Sequence, residues 1–485
     1  MRPLLRLAAC LASFGLFACG VAEVQSTNLT PDLDVDDFHG SRACTTKSIP
    51  TYALHGTVLT PQGPVVGTVV VTNETITQVV PDGEPLPDGV TALETSGVIS
   101  PGFIDLHNHV AYDFLPFWNS GKRWQNRYQW ARATGYQSAV KNPYNAVKKA
   151  NHLCEAQKYG EFRALVGGTT TIQGSNDLTC DRSWVRNVEY GMFCQDHVGE
   201  MVLPVTALTQ SDADKLNAQF ASGHTAAYLV HLAEGVDDSS RAEFDHLEAL
   251  GLLQPQLVAI HGTALDATRL QKMGAAGMKL VWSPLSNLAL YGQTTDIPTA
   301  LSFGVKVALA PDWSPSGSAN VLGEFKVADR VNRERFGGIL SDYDLWQMVT
   351  ANPADIAGVG DKLGRIAPGF TADLVVIRPQ GVVDPADPYR SIIDAQPQDV
   401  LLTTIGGDPY YGDPTLLDQL GQAGTYTVLS SCDGELRGLR VQDPASGVPN
   451  ASESLDQVNA TFAGDQVSSV VPLYGCDAAP EWAFH

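Results

Sequence analysis

Short apolar runs alternate with amphipathic stretches through the middle of the chain. Ala227–Val230, Leu257–Ile260, Met278–Trp282 and Val305–Ala310 are strand candidates, and 211–221, 241–250 and 266–275 carry helical spacing. Strand and helix in turn predict a parallel sheet with right-handed crossovers. For one domain of roughly 250 residues, the closed (β/α)8 TIM barrel is the expected architecture, assigned to residues 101–358. The strands between 174 and 226 cannot be counted from the pattern, so closure is inferred.

The flanks have a different character. Thr51–Thr60 and Gly67–Thr72 are β-branched strand candidates separated by Pro and Gly turns. After a helix at 342–350, turn-then-strand character resumes through Leu374–Ile377, with another strand candidate at 401–405 and a polar helical stretch around 453–462. Residues 47–100 and 359–485 are therefore expected to form one composite β-sandwich domain with a C-terminal extension, the barrel being inserted between them.

Composition narrows the class. The 485 residues are 44% apolar and 17% charged, as expected of a globular chain. The net charge of −22, without a basic stripe, disfavours a nucleic-acid partner. Arg2 and Arg6 precede an apolar run, Leu7 to Ala18, too short to span a membrane and of signal-peptide length. Leu16-Phe17-Ala18-Cys19 resembles a bacterial lipobox, with Phe17 bulkier than usual, and an ordinary cleaved signal peptide is the alternative. Residues 1–19 are thus a leader and 20–46 a polar tether, with membrane attachment through a lipidated Cys19. The expected location is periplasmic or cell-surface. Six cysteines remain after Cys10 and Cys19, and export permits disulfides. Cys180 with Cys194 and Cys432 with Cys476 are the pairings expected.

Candidate chemistry sits at strand ends. His107 and His109 follow Gly102–Leu106, and side chains two apart on a strand face one side. Imidazole suits zinc or divalent iron, although a bare His-x-His is a weak signal. His231, His261 and Asp312 each end an apolar run, where a barrel places its functional residues. A lone His or Asp there is ordinarily a packed or capping residue; four such endings in one chain shift that balance.

These motifs resemble the amidohydrolase superfamily, nearest its cytosine and guanine deaminase and triazine hydrolase branch. The resemblance spans residues 50–410. It is carried by Pro101-Gly-Phe-Ile-Asp-Leu-His-Asn-His109, Gly168-Thr-Thr-Thr171, His231-Leu-Ala-Glu234, His261-Gly262, Ser283-Pro-Leu-Ser-Asn287, Asp312-Trp-Ser, Asn352-Pro-Ala354 and Gly364–Asp373. It implies His107, His109, His231 and Asp312 as ligands of one divalent metal, zinc before iron. It also implies His261 beside the activated water or substrate, and Glu234 as proton-transfer residue, giving catalytic roles to Glu234, His261 and Asp312. The metal would lower the pKa of its water, and an adjacent carboxylate would take a proton from it and return one to the leaving nitrogen.

One metal rather than two is expected. Lys215, in a polar helical segment, is a poor bridge, and Glu189 or Glu200 would serve only in principle, being more readily solvated or salt-bridged. Ala310-Pro311-Asp312 departs from the Gly-Thr usual in relatives, which alters the approach to the ligand without removing it.

The aromatic run from Tyr112 to Trp130 is either a wall over a ring-bearing substrate or loop packing. Trp118, Trp282, Asn287 and Trp313 are the candidate substrate contacts. Arg123, Arg127, Glu324 and Lys326 are read as exposed helical charges and left off the site. The expected activity is hydrolysis of a non-peptide C–N bond in a small ring-containing molecule, by deamination or by opening of a cyclic amide or amidine. The alternatives are a two-metal amide, dipeptide or lactone hydrolase of the same fold, and a non-catalytic metal- or ligand-binding lipoprotein. A small-molecule substrate and a homodimer are the expected partners.

Overall fold

Two strand patterns, one at each end of the chain, meet in one sheet. In the computed structural model, which describes residues 48–174, 184–193, 197–202, 204–440, 460, 470–476 and 479–484, the N-terminal flank supplies β1 (Tyr52–Thr60), β2 (Gly63–Thr72), β3 (Thr75–Pro81) and β4 (Ala92–Pro101). The leader, the tether, Cys180, Cys194 and nearly all of the stretch at 453–462 lie outside the described residues.

Eight parallel strands follow: β5 (Phe103–Asp105), β6 (Thr169–Ile172), β7 (Arg186–Asn187), β8 (Val198–Met201), β9 (Ala227–Leu232), β10 (Leu257–His261), β11 (Lys279–Trp282) and β12 (Lys306–Leu309). They pair as β5-β6-β7 and as β12-β11-β10-β9-β8, the parallel core of a (β/α)8 barrel. Between β12 and β5, Met348 and Val349 carbonyls accept from Leu309 and Ile104 at 2.7 and 2.9 Å. The strands that the pattern cannot count are β7, two residues long, and β8, with no described helix between them.

Period-2 alternation sorts the barrel side chains. Ile104, Leu106, Ala227, Leu229, Val258, Ile260, Val281 and Ala308 fill one apolar cluster inside. Their neighbours Val230, Ala259, Leu280, Trp282, Val307 and Leu309 belong to a second cluster shared with the surrounding helices. Those helices include Gln210–Ser222, Asp238–Ala249 and Ala267–Ala275, each with a Thr or Asp N-cap accepting a backbone N–H three residues on.

The C-terminal flank adds β13 (Leu374–Ile377), β14 (Val400–Ile405), β15 (Asp408–Gly412), β16 (Thr427–Ser430) and β17 (Leu436–Leu439). β13 pairs with β4, so the flanks share a nine-stranded sheet, β16-β17-β15-β14-β13-β4-β1-β2-β3. Leu54, Val58 and Ile99 pack there with Leu374, Val376 and Leu402. Cys432 and Cys476 form a disulfide, Cα to Cα 5.7 Å. Cys154 is also disulfide-bonded. No described helix is long and apolar enough to cross a membrane.

One residue ties sheet to barrel. Asp373, 4% exposed, takes both guanidinium arms of Arg186 at 2.8 and 3.0 Å, accepts the Gly406 N–H at 2.7 Å, and offers its carbonyl to Gly102. Glu324 corrects an expectation of exposure: it is fully buried, accepting the Leu285 N–H at 3.0 Å and the Ser318 hydroxyl. Burial pushes its carboxyl up to about 8.

Two stability effects follow. Asp373→Ala strands the Arg186 charge and costs about 3 kcal/mol in denaturant unfolding. Glu324 binds a proton in the folded state that the unfolded chain releases above its ordinary range. Its contribution is therefore full at pH 4 and lost as pH rises toward about 8. Unfolding midpoints at pH 5 and pH 9 should differ less in Glu324→Gln than in the wild type.

Candidate metal centre

The two histidines of the His-x-His motif do not converge by strand alternation. β5 ends at Asp105, so His107 and His109 lie in the turn beyond it. Side chains shape that turn: Asp105 accepts the His107 N–H at 3.0 Å and the Asn108 amide at 2.9 Å, and Gln173 accepts the Asn108 N–H at 3.2 Å. His231 faces inward from β9, two residues beyond Leu229. His261 ends β10 with φ +68°, and Asp312 follows β12 with φ +66°. Such left-handed angles are uncommon outside glycine and cost of order 1 kcal/mol or more, which the surrounding bonds must offset.

The side chains meet. His107, His109 and His231 form one group, and His107, His261 and Asp312 another; within each, the ligand atoms lie within 4.8 Å of one another. His107 Nε2 is 3.2 Å from His231 Nε2 and 3.3 Å from Asp312 Oδ1, which is 3.7 Å from His109 Nε2. The groups share His107, so among the described residues they define a single site.

Each member is held from behind. The Ser283 hydroxyl meets His107 Nδ1 at 2.7 Å, Asn287 Oδ1 accepts from His261 Nδ1 at 2.9 Å, and Ser286 donates to Asp312 Oδ2 at 2.6 Å. The Asp312 N–H also bonds the His107 carbonyl at 3.0 Å, so Pro311 leaves the ligand aimed inward.

Burial sets the electrostatics. It holds His107 and His231 well below the usual imidazole range and His109 down to about 3, with neighbouring cationic groups adding to the effect. Burial also pushes Asp312 well above the carboxylate range. Asp312 Oδ1 is buried without a hydrogen-bond partner although three imidazoles surround it. Neutral nitrogens around an orphaned carboxylate oxygen fit a divalent cation, whose charge would draw Asp312 back to its ionised form.

Glu234, 4% exposed, stands beside this cluster rather than in it. Its Oε2 lies 3.7 Å from His261 Nε2 and 3.6 Å from Arg127 Nη1, and its Oε1 accepts from the Tyr291 hydroxyl at 2.6 Å.

The expected substrate contacts divide. Trp313 reaches the site, its ring 5.2 Å from His109 and flanked by Tyr112, Trp130 and Tyr136. Trp118 does not: its ring meets Tyr136, which in turn meets Trp313, so two rings separate it from His109. Trp282 points to the helix side of its strand, fully buried, stacked near Phe336 with its N–H on Thr294. Asn287 is buried, aligning His261 and donating to Thr294 and Thr295.

Arg127 is buried against Glu234, contrary to the expectation of an exposed charge, whereas Arg123 binds the Ala289 and Trp482 carbonyls away from the cluster. Lys215 is exposed on its helix. Glu189, expected to be solvated or ion-paired, is buried. It accepts from Gln173 and Gly174 at 2.8 and 2.9 Å, and burial beside Glu200 pushes it up to about 8. Neither Glu189 nor Glu200 joins the ligand groups. The pairing of Tyr291 and Trp130 with Glu234 is not foreseen from the sequence, where its only signal is the four-residue spacing Ser283, Asn287, Tyr291.

Known proteins share this fold and part of this sequence. Residues 205–409 match the amidohydrolase family. A 5-methylthioadenosine/S-adenosylhomocysteine deaminase of Pyrococcus abyssi is 32% identical over 201 residues, 39% of this chain and 47% of that protein, so the chain spans about half that relative's length. In fold, a zinc-bound adenosine deaminase from Xanthomonas campestris superposes with a TM-score of 0.59 at 15% identity, covering 84% of this chain and 98% of the other. The zinc complex of atrazine chlorohydrolase from Arthrobacter aurescens TC1 gives 0.57 at 18%, covering 74% and 95%. Over residues 205–409 the chain is thus similar to the amidohydrolase family, and in fold it is similar to a zinc-bound adenosine deaminase and to atrazine chlorohydrolase.

Proposed function

We propose that this protein hydrolyses a non-peptide C–N bond of a small ring-containing molecule with one divalent metal, zinc before iron. The observation that carries the reading is Glu234, a buried carboxylate that is not a member of either ligand group yet stands 3.7 Å from His261 Nε2. A site built only to hold metal needs no such group. His107, His109, His231 and Asp312 would hold the ion, which when bound supplies Lewis acidity and an activated water.

The rest falls to the chain. Glu234 Oε2 takes a proton from the attacking water and returns it to the leaving nitrogen. His261, with Nδ1–H committed to Asn287, presents Nε2 as a lone pair and donates toward substrate only after protonation. Trp313 packs beside His109 and is backed by Tyr136 and Trp130, an aromatic surface that suits a flat substrate. The deaminase and triazine-hydrolase names of the relatives support the same class.

Export with a lipid anchor at Cys19 is proposed as well; the Cys432–Cys476 bond supports an oxidising compartment.

The test is ammonia release from purines, purine nucleosides and amino-triazines, with metal measured on the same samples. The wild type should hold about one metal per chain, and two would overturn the single-site reading. His107→Ala should lose both metal and activity. Glu234→Gln should keep its metal and lose about a hundredfold or more in kcat; undiminished turnover would remove Glu234 from its role. For the anchor, mass spectrometry of membrane-extracted protein should show a diacylated N-terminal Cys19 peptide, and an unmodified N-terminus would exclude it.

A further inference from the structure

One helix face aligns the site. On Pro284–Tyr291 and its N-cap, Ser283, Asn287 and Tyr291 stand four residues apart and so share a face. Each holds a different site residue: Ser283 meets His107, Asn287 meets His261, and Tyr291 meets Glu234 at 2.6 Å. The first two lie in a motif that carries the family resemblance. Tyr291 lies beyond it.

The direction of the Tyr291 bond is fixed by chemistry. The indole N–H of Trp130 can only donate, and it points at the Tyr291 oxygen at 2.7 Å. With Trp130 donating to its oxygen, the Tyr291 hydroxyl gives its single proton to Glu234 Oε1. Oε2 is left facing His261 and Arg127 at 3.7 and 3.6 Å, too far for a hydrogen bond to either. Arg127 is the competing attraction: a small rotation would bring the carboxylate into a full ion pair with it and away from His261.

Trp130 and Arg127 lie on the short helix Arg127–Trp130, which the backbone fastens to the Glu234 segment. The Arg127 N–H reaches the Glu234 carbonyl at 3.2 Å, and the Val236 N–H reaches Gln125 at 2.7 Å. The aromatic loop is therefore fastened to the Glu234 segment by backbone bonds, and its Trp130 reaches the Glu234 carboxylate through Tyr291.

We propose that Tyr291, oriented by Trp130, is a positioning residue that pins Glu234 Oε1 so that Oε2 alone faces the metal site. The role in turnover rests on the hydrolase reading above; the pinning itself does not.

The test is Tyr291→Phe in the metal-loaded full chain, by crystal structure, metal content and, for whichever purine or triazine the wild type turns over, kcat and KM. Metal content should be unchanged, and the Glu234 carboxylate should swing to within about 3 Å of Arg127 Nη1. The kcat should fall about tenfold or more with KM within about twofold, the split expected when a proton-transfer group is misplaced while substrate binding stays intact. A carboxylate left in place with kcat unchanged overturns the proposal. If the wild type turns over none of these compounds, the hydrolase reading fails, and the carboxylate position alone decides: swung upholds the pinning, unmoved refutes it. Should Tyr291→Phe not fold, Trp130→Phe, which frees the Tyr291 hydroxyl to turn, is read by the same displacement.

Discussion

Five polar side chains that are costly to take out of water are packed together at the centre of the barrel. Four of them, His107, His231, His261 and Asp312, are each no more than 4% exposed, and Asp312 Oδ1 makes no hydrogen bond. A buried carboxylate oxygen left without a partner is costly, even though Ser286 satisfies the other. Two of the five residues, His261 and Asp312, also sit at left-handed backbone angles. The hydrogen bonds behind the cluster hold the strained angles, and a cation held there would offset the desolvation.

What keeps the arrangement from collapsing is a layer of hydrogen bonds behind it. The turn after β5 is shaped by Asp105 and Gln173, and the helix Pro284–Tyr291 with its N-cap supplies Ser283, Ser286, Asn287 and Tyr291 to four different residues of the site. That helix is anchored in turn by Glu324, which accepts the Leu285 N–H at its first turn. Fixing so many groups from one short element means that their relative positions are set by helix geometry rather than by loop conformation.

The barrel and the metal cluster are legible in the sequence for a physical reason. β9 to β12 are short, mainly apolar runs, with Lys only at the starts of β11 and β12 and a polar residue in, at or shortly after each C-terminal end, and their alternation with helical stretches marks them as buried parallel strands. β7 is illegible because two residues carry no period. Trp282 points away from the cluster because adjacency to a strand end does not say which face a side chain takes: with Leu280 it packs outward, while Val281 packs inward. Residue type alone assigns Arg127 and Glu324 to solvent, and only tertiary packing buries them. His107 and His109 do converge as the sequence suggests, but the turn and not the strand aims them.

Among the clustered histidines and Asp312, His109 is the most exposed, its side chain 22% exposed, and Trp313 packs against its ring. Trp313 is not an isolated wall. Its indole N–H donates to Ser316 at 2.6 Å, Ser316 lies 3.0 Å from Ser286, and Ser286 donates to Asp312. Because the indole can only donate and the Ser286 proton is already given to Asp312, the Ser316 proton must point to Ser286. The chain runs one way, from the aromatic wall to the carboxylate, each bond polarising the next. A ring that displaced Trp313 would lengthen the first bond and weaken the last, so the wall and the ligand cannot be moved independently.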